Sequence, residues 1–64
     1  MEKYLVWFYN GKNTVFNGNA NDLIEFYTLY ATEMPCTVTV EFYDCNKYIG
    51  EVDYSFEEFC EIHN

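Results

Sequence analysis

The stretch CTVTVEFYDCNKYIGEVDYSFEEFCEI, residues 36–62, decides the fold of this chain. Within it Val38, Val40 and Phe42 alternate with more polar residues, a period of two that is typical of a half-buried β-strand. The alternation returns in residues 48–54, so the stretch predicts a β-hairpin. A short acidic helix follows, and the two elements together carry most of the charge of the protein.

The pairing register of this hairpin is decided by where its carboxylates would lie. A two-residue loop would pair Val40 with Glu51 and place carboxylates in the core, at a large desolvation cost. A three-residue loop, Cys45–Lys47, avoids this cost, and we predict it with Asn46 in the left-handed conformation at a bulge. The inward-facing pairs are then Phe42 with Gly50, Val40 with Val52, and Val38 with Tyr54.

The same register sets two carboxylates against each other on the outer face of the hairpin. Glu41 lies directly opposite Glu51, and Asp53 lies beside Thr39. Like charges opposite each other on a sheet destabilise it by a few tenths to about 1 kcal/mol. Either this face is simply solvated and tolerates the repulsion, or a cationic partner relieves the repulsion on binding.

The helix after the hairpin has a defined start and two distinct faces. The Ser55-x-x-Glu58 pattern is a capping box, which fixes the first turn. Acidic residues in that turn interact favourably with the helix dipole. The apolar stripe consists of Phe56, Phe59 and Cys60, and the outward carboxylates are Glu57, Glu58 and Glu61.

The N-terminal part predicts a second hairpin and a second helix. Lys3–Tyr9 is apolar and aromatic enough for a strand covered on both faces. Asn10-Gly11 is the strongest short hairpin signal, and Thr14–Phe16 forms the returning strand. A helix of about three turns then ends at Pro35. Its possible N-caps are Asn19, Asn21 and Asp22, and its apolar stripe is Leu23, Phe26, Tyr27, Tyr30, Ala31 and Met34.

These elements predict a single α+β domain over residues 1–64 with the order ββαββα. We expect a four-stranded antiparallel sheet with both helices packed on one face. Such a short chain lies near the lower limit for independent folding. Its 22% aromatic content supplies a core without disulfides.

Charge limits the classes of partner. The net charge is −8, with 11 acidic residues against three lysines and no arginine. Such a chain is repelled by nucleic acid and anionic lipid and attracted to basic protein surfaces. No apolar run approaches the roughly 18 residues of a membrane span, and no signal peptide is evident, so we expect a cytoplasmic protein.

The sequence contains no pattern of a catalytic or metal site. Cys36, Cys45 and Cys60 are widely spaced and the one histidine is His63, which does not match zinc-ligand spacing. Cys36 and Cys60 are expected to be buried, and Cys45 to be an exposed thiol in a turn. Neither a nucleophile–base pair nor a phosphate-binding glycine loop is present. We therefore expect no enzyme activity, no cofactor and no metal.

The acidic residues of the C-terminal part suggest imitation of nucleic acid. Carboxylates two residues apart on a strand face are roughly 6.8 Å apart, and those four apart on a helix roughly 6 Å, close to the spacing of successive phosphates. We call this predicted set the acidic patch: Glu41, Asp44, Glu51, Asp53, Glu57, Glu58 and Glu61.

With its small size, lack of arginine, abundant Tyr and Phe and acidic patch, the chain resembles the small acidic inhibitors of phages and mobile elements. These include anti-CRISPR proteins and other DNA-mimic anti-defence proteins, which share no common fold, so no residue roles are transferred. The resemblance implies an inhibitor that occupies a basic nucleic-acid-binding or PAM-reading surface of a host defence complex. It would act in the host cytoplasm, without binding nucleic acid directly.

An alternative hypothesis assigns binding to aromatic residues. If the sheet leaves one face open, exposed rings there would mark a partner or homodimer interface. The chain would then be a small regulatory module, and both a monomer and a homodimer remain open. A third interpretation is that the charge serves only solubility. The residues of this aromatic patch are Trp7, Tyr9, Tyr43, Tyr48 and Ile49.

Overall fold

The computed structural model describes residues 1–63 of the chain, and Asn64 lies outside the described residues. The predicted order ββαββα and the α+β fold class are confirmed. The elements are β1 (Glu2–Phe8), β2 (Asn13–Phe16), α1 (Ala20–Glu33), β3 (Cys36–Asp44), β4 (Lys47–Ser55) and α2 (Phe56–Ile62).

The four strands form one antiparallel sheet in the order β2-β1-β3-β4. Because β2 and β3 both run antiparallel to β1, they are parallel to each other, and α1 crosses over β1 to connect them. β1 is therefore an interior strand, but the prediction that both of its faces are covered is wrong, because Trp7 is 37% exposed. β2 and β4 are the edge strands.

The β3–β4 register is as predicted, but the predicted three-residue loop is wrong. The pairs next to the turn are Tyr43 with Tyr48 and Asp44 with Lys47. The loop is therefore Cys45-Asn46, with φ values of 51° and 65°, the positive values that a two-residue hairpin turn prefers. Ile49 is the extra residue, at a bulge opposite Phe42 and Tyr43. This bulge restores the alternation that keeps Glu51 out of the core.

The core lies between the sheet and the helices. Val6, Val38, Leu23 and Phe59 have no exposed surface. α2 packs on the sheet through Phe59, whose ring lies edge-on to Tyr4 with the ring centroids 5.7 Å apart. The capping box of α2 is confirmed, with Ser55 N–H donating to Glu58 Oε1 at 3.1 Å and Glu58 N–H donating to Ser55 Oγ at 3.2 Å.

Helix α1 packs on the same side of the sheet, and its buried stripe differs in part from the predicted one. Its N-cap is Asn19, which accepts a hydrogen bond from the Asp22 N–H at 2.8 Å. The helix contacts Phe8 through the rings of Tyr27 and Tyr30. The predicted stripe residues Phe26 and Met34 are 71% and 40% exposed, because the buried side of the helix is centred on Leu23, Tyr27 and Tyr30.

The three cysteines are free, and their environments follow the prediction closely. Cys36 is buried, Cys45 is exposed in the turn and Cys60 is partly buried against the core. Burial raises the pKa of the Cys36 thiol, and the neighbouring Cys60 raises it further. Within residues 1–63, no helix combines the length and apolar character needed to cross a bilayer.

Candidate functional site

The sheet face opposite the helices, which we call the outer face, is the candidate site. No element of the described chain covers it, because α1 and α2 both pack on the other side. Trp7 is 37% exposed and Tyr48 is 49% exposed there. The alternation of the strands places the following side chains on this face: Lys3, Leu5, Trp7, Asn13, Val15, Thr37, Thr39, Glu41, Tyr43, Tyr48, Glu51, Asp53 and Ser55.

The acidic patch divides between two sides of the sheet. Glu41, Glu51 and Asp53 lie on the outer face, opposite and beside one another in the predicted register. The carboxylates of α2, Glu57 and Glu61, are exposed on a helix that covers the inner face. Glu58 lies on the same helix and is engaged in the capping box, and Asp44 lies next to the hairpin turn. The sheet therefore separates the patch into two groups instead of one continuous array.

Three residues of the aromatic patch share the outer face with the sheet carboxylates. Trp7 lies on β1, and Tyr43 and Tyr48 form a pair on β3 and β4 with ring centroids 5.9 Å apart. The other two lie elsewhere: Tyr9 follows the end of β1 and is 66% exposed, and Ile49 is at the bulge and 63% exposed. The acidic and aromatic hypotheses thus concern largely the same surface.

A chain of hydrogen bonds crosses three strands on the outer face. Trp7 Nε1 donates to Thr39 Oγ1 at 3.0 Å, and Thr39 Oγ1 donates to Asp53 Oδ1 at 2.6 Å. Thr39 is only 5% exposed, so the link is shielded from water by its neighbours. It fixes the position of both the indole and the carboxylate. Sequence reasoning named Trp7 and Asp53 but assigned no role to Thr39.

The opposed glutamates are held by tyrosine hydroxyls. Tyr43 donates to Glu41 Oε1 at 2.9 Å, and Tyr48 donates to Glu51 Oε1 at 2.9 Å. A neutral donor on each carboxylate stabilises its charge and orients it without neutralising it. Each hydrogen bond raises the pKa of its tyrosine, with smaller contributions from desolvation and from the nearby negative charges. The outer face thus holds Glu41 and Glu51 in a defined geometry, with Lys3 opposite Glu41 on the neighbouring strand.

Alkaline titration tests the tyrosine–glutamate pairs. A tyrosine whose pKa is raised in the folded protein retains its proton above about pH 10, where the unfolded chain loses it. Its contribution to stability is therefore complete below that pH and is lost as the pH rises through the folded-state pKa. We expect the free energy of unfolding, measured by urea titration, to fall above about pH 10, and to fall less steeply when Tyr43 and Tyr48 are both replaced by phenylalanine.

Tyr9→Phe is the matched control, because it removes an exposed tyrosine that is not part of either pair. Ultraviolet absorbance follows phenolate formation directly in the same samples. If the slope is unchanged in the Tyr43→Phe, Tyr48→Phe variant, and the phenolate absorbance it loses titrates at the same pH as that lost in Tyr9→Phe, the two hydrogen bonds do not persist in solution.

The described residues contain no group of three His, Cys, Asp or Glu side chains arranged to hold a metal ion. No protein-family model, curated protein or solved structure matches the chain. The class of protein is therefore described from its fold and its candidate site. It is a small α+β domain whose open sheet face combines fixed carboxylates with aromatic rings.

Proposed function

We propose that this protein is a binding inhibitor of the anti-CRISPR, DNA-mimic type. Its outer face occupies a basic, nucleic-acid-binding surface of a host defence complex in the cytoplasm, and it acts by binding alone, without catalysis. The observation that carries the proposal is the set of three carboxylates, Glu41, Glu51 and Asp53, each fixed by a hydroxyl donor on an uncovered sheet face.

The geometry of these carboxylates supports imitation of phosphates. Glu51 and Asp53 are two residues apart on one strand, which separates their Cα atoms by roughly 6.8 Å. Glu41 lies across from Glu51 on the neighbouring strand, so the charges extend in two directions. Because the side chains are already oriented, binding costs less conformational entropy than it would for free surface glutamates.

The aromatic residues support a cationic partner more than an apolar one. Arginine guanidinium groups stack on aromatic rings and pair with carboxylates at the same time. Trp7 and Asp53 are joined through Thr39, so one arginine-rich surface would meet both kinds of group. The proposal therefore gives the rings an accessory role at the same interface.

The alternative, a dimerising module that binds through its aromatics, would use the same face against a second copy. That arrangement has support from the exposure of Trp7 and Tyr48. It brings two sets of outer-face carboxylates together, which is electrostatically unfavourable. Salt dependence separates the alternatives, because charge-driven binding to a partner weakens as salt rises.

A pull-down from bacterial lysate with the immobilised protein tests the proposal. We expect a nucleic-acid-handling complex to be captured at about 50 mM salt and released at about 500 mM. Added duplex DNA should compete it off at the lower salt. A partner that stays bound at the higher salt and is not displaced by DNA would favour the aromatic module. The absence of any captured complex would overturn the proposal.

A further inference from the structure

The exposed edge of β4 offers a second way to contact a partner. Within residues 1–63, β4 pairs only with β3 and is nine residues long, whereas the other edge strand, β2, has four residues. In an antiparallel ladder, alternate residues of an edge strand direct their N–H and C=O groups away from the neighbouring strand. The bulge at Ile49 lies close to the turn and the Ser55 N–H donates to Glu58 Oε1, so residues 50–54 form a regular edge.

The side chains along this edge differ between the two faces of the sheet. On the outer face they are the carboxylates Glu51 and Asp53. On the inner face Val52 is 42% exposed, whereas Val38 and Val40 on the same face are 0% and 3% exposed. The helices therefore leave apolar surface uncovered at this edge, directly behind the carboxylates.

A second copy of the chain paired in the register centred on Val52 is disfavoured at this edge. Two β4 strands paired antiparallel about Val52 would place Glu51 of each copy opposite Asp53 of the other. Two pairs of like charges would then oppose each other on one face, an arrangement that destabilises a sheet. A strand that carries positive charge on that face has the opposite effect.

We propose that the β4 edge accepts an extended cationic strand of the target protein, in which Lys or Arg alternates with apolar residues. The cationic side chains would lie beside Glu51 and Asp53, and the apolar side chains would cover Val52. Backbone hydrogen bonds supply affinity and the alternation supplies specificity, as in other cases of strand addition. The inference rests on the proposed function, because it describes how the same basic target is held.

Two synthetic peptides test the strand addition on the full chain. The first alternates lysine and valine, and the second has the same sequence with every peptide bond N-methylated, so that it keeps its charge but cannot pair as a strand. We expect the first to bind at least about tenfold more tightly by isothermal titration calorimetry at low salt. It should also slow amide hydrogen exchange at alternate residues of the segment 50–54.

Two variants locate the bound strand. Val52 on β4 and Thr14 on β2 both lie on the inner side of the sheet, at opposite edges, so replacing either with lysine adds a positive charge to one edge. Val52→Lys should weaken binding of the first peptide, and Thr14→Lys should leave it nearly unchanged. The converse result would place the strand on β2 and overturn the proposal.

Other outcomes separate this inference from the proposed function. Equal affinity of the two peptides without new amide protection would overturn strand addition. A change in Trp7 fluorescence with both peptides would at the same time show that the outer face binds cations, which leaves the proposed function in place. Protection of residues 50–54 that grows with protein concentration in the absence of peptide would make a second copy the occupant, and would also overturn the proposal.

Discussion

Replacing Phe59 with alanine is expected to unfold a large fraction of the protein at room temperature. Phe59 has no exposed surface, and its ring contacts Tyr4 and Tyr54 with centroid distances of 5.7 and 6.3 Å. Truncation of a buried phenylalanine costs about 3–5 kcal/mol. A domain of this size has a total stability of roughly 3–10 kcal/mol, so the loss is comparable to the whole.

Urea titration followed by circular dichroism measures this loss as a shift of the unfolding midpoint. Phe26→Ala is the matched control, because the Phe26 ring is 71% exposed, and it should change the free energy of unfolding by less than about 1 kcal/mol. Equal effects of the two substitutions would mean that α2 does not anchor the core as the structure describes.

Reversing the charge at Glu51 and Asp53 is expected to abolish capture of the target. With lysine at both positions, the basic surface of the partner faces two positive charges in place of two carboxylates. This change weakens the free energy of binding by several kcal/mol. Affinity at about 50 mM salt should then fall by at least about a hundredfold. The pull-down at low salt measures the change directly, and calorimetry quantifies it once the target is purified.

The carboxylates of α2 provide the control for this experiment. Glu57→Lys together with Glu61→Lys changes the net charge by the same amount, but on the opposite side of the sheet. This variant should retain the target, with a modest loss from weaker long-range attraction. If this variant loses the target to the same extent as the outer-face variant, binding depends on the net charge of the protein and not on the outer face. If Trp7→Ala alone abolishes capture, the aromatic alternative is correct.

The β3–β4 hairpin shows which features of the fold can be predicted from the sequence. Its register followed from one argument, that a slip would bury Glu51, and the structure has that register. The loop length did not follow, because a three-residue loop and a two-residue turn with a bulge give the same alternation. Nothing in the residue pattern around Ile49 distinguishes them. The exposure of Phe26 was missed for a related reason, since helical spacing does not fix where the buried stripe ends.

The candidate site was partly predictable. The opposition of Glu41 and Glu51 follows from the register, and their separation from α2 follows from placing both helices on one face. The position of Asp53 beside Thr39 follows from the same register, whereas the contact of Thr39 with Trp7 was not predictable, because it depends on how β1 lies against β3. That pairing joins residues distant in the chain, and local patterns carry no information about it.

The crossover of α1 also determines when the outer face comes into existence. β1–β2 and β3–β4 are hairpins between neighbouring segments, which form quickly because their loops are short. The ladder between β1 and β3 unites the two halves of the chain, and it has to close the long connection through α1 first. Trp7 belongs to one half, and Thr39 and Asp53 belong to the other. We therefore expect the contact between Trp7 and Thr39 to form only once this ladder closes, whereas Glu41, Glu51 and Asp53 all belong to the β3–β4 hairpin.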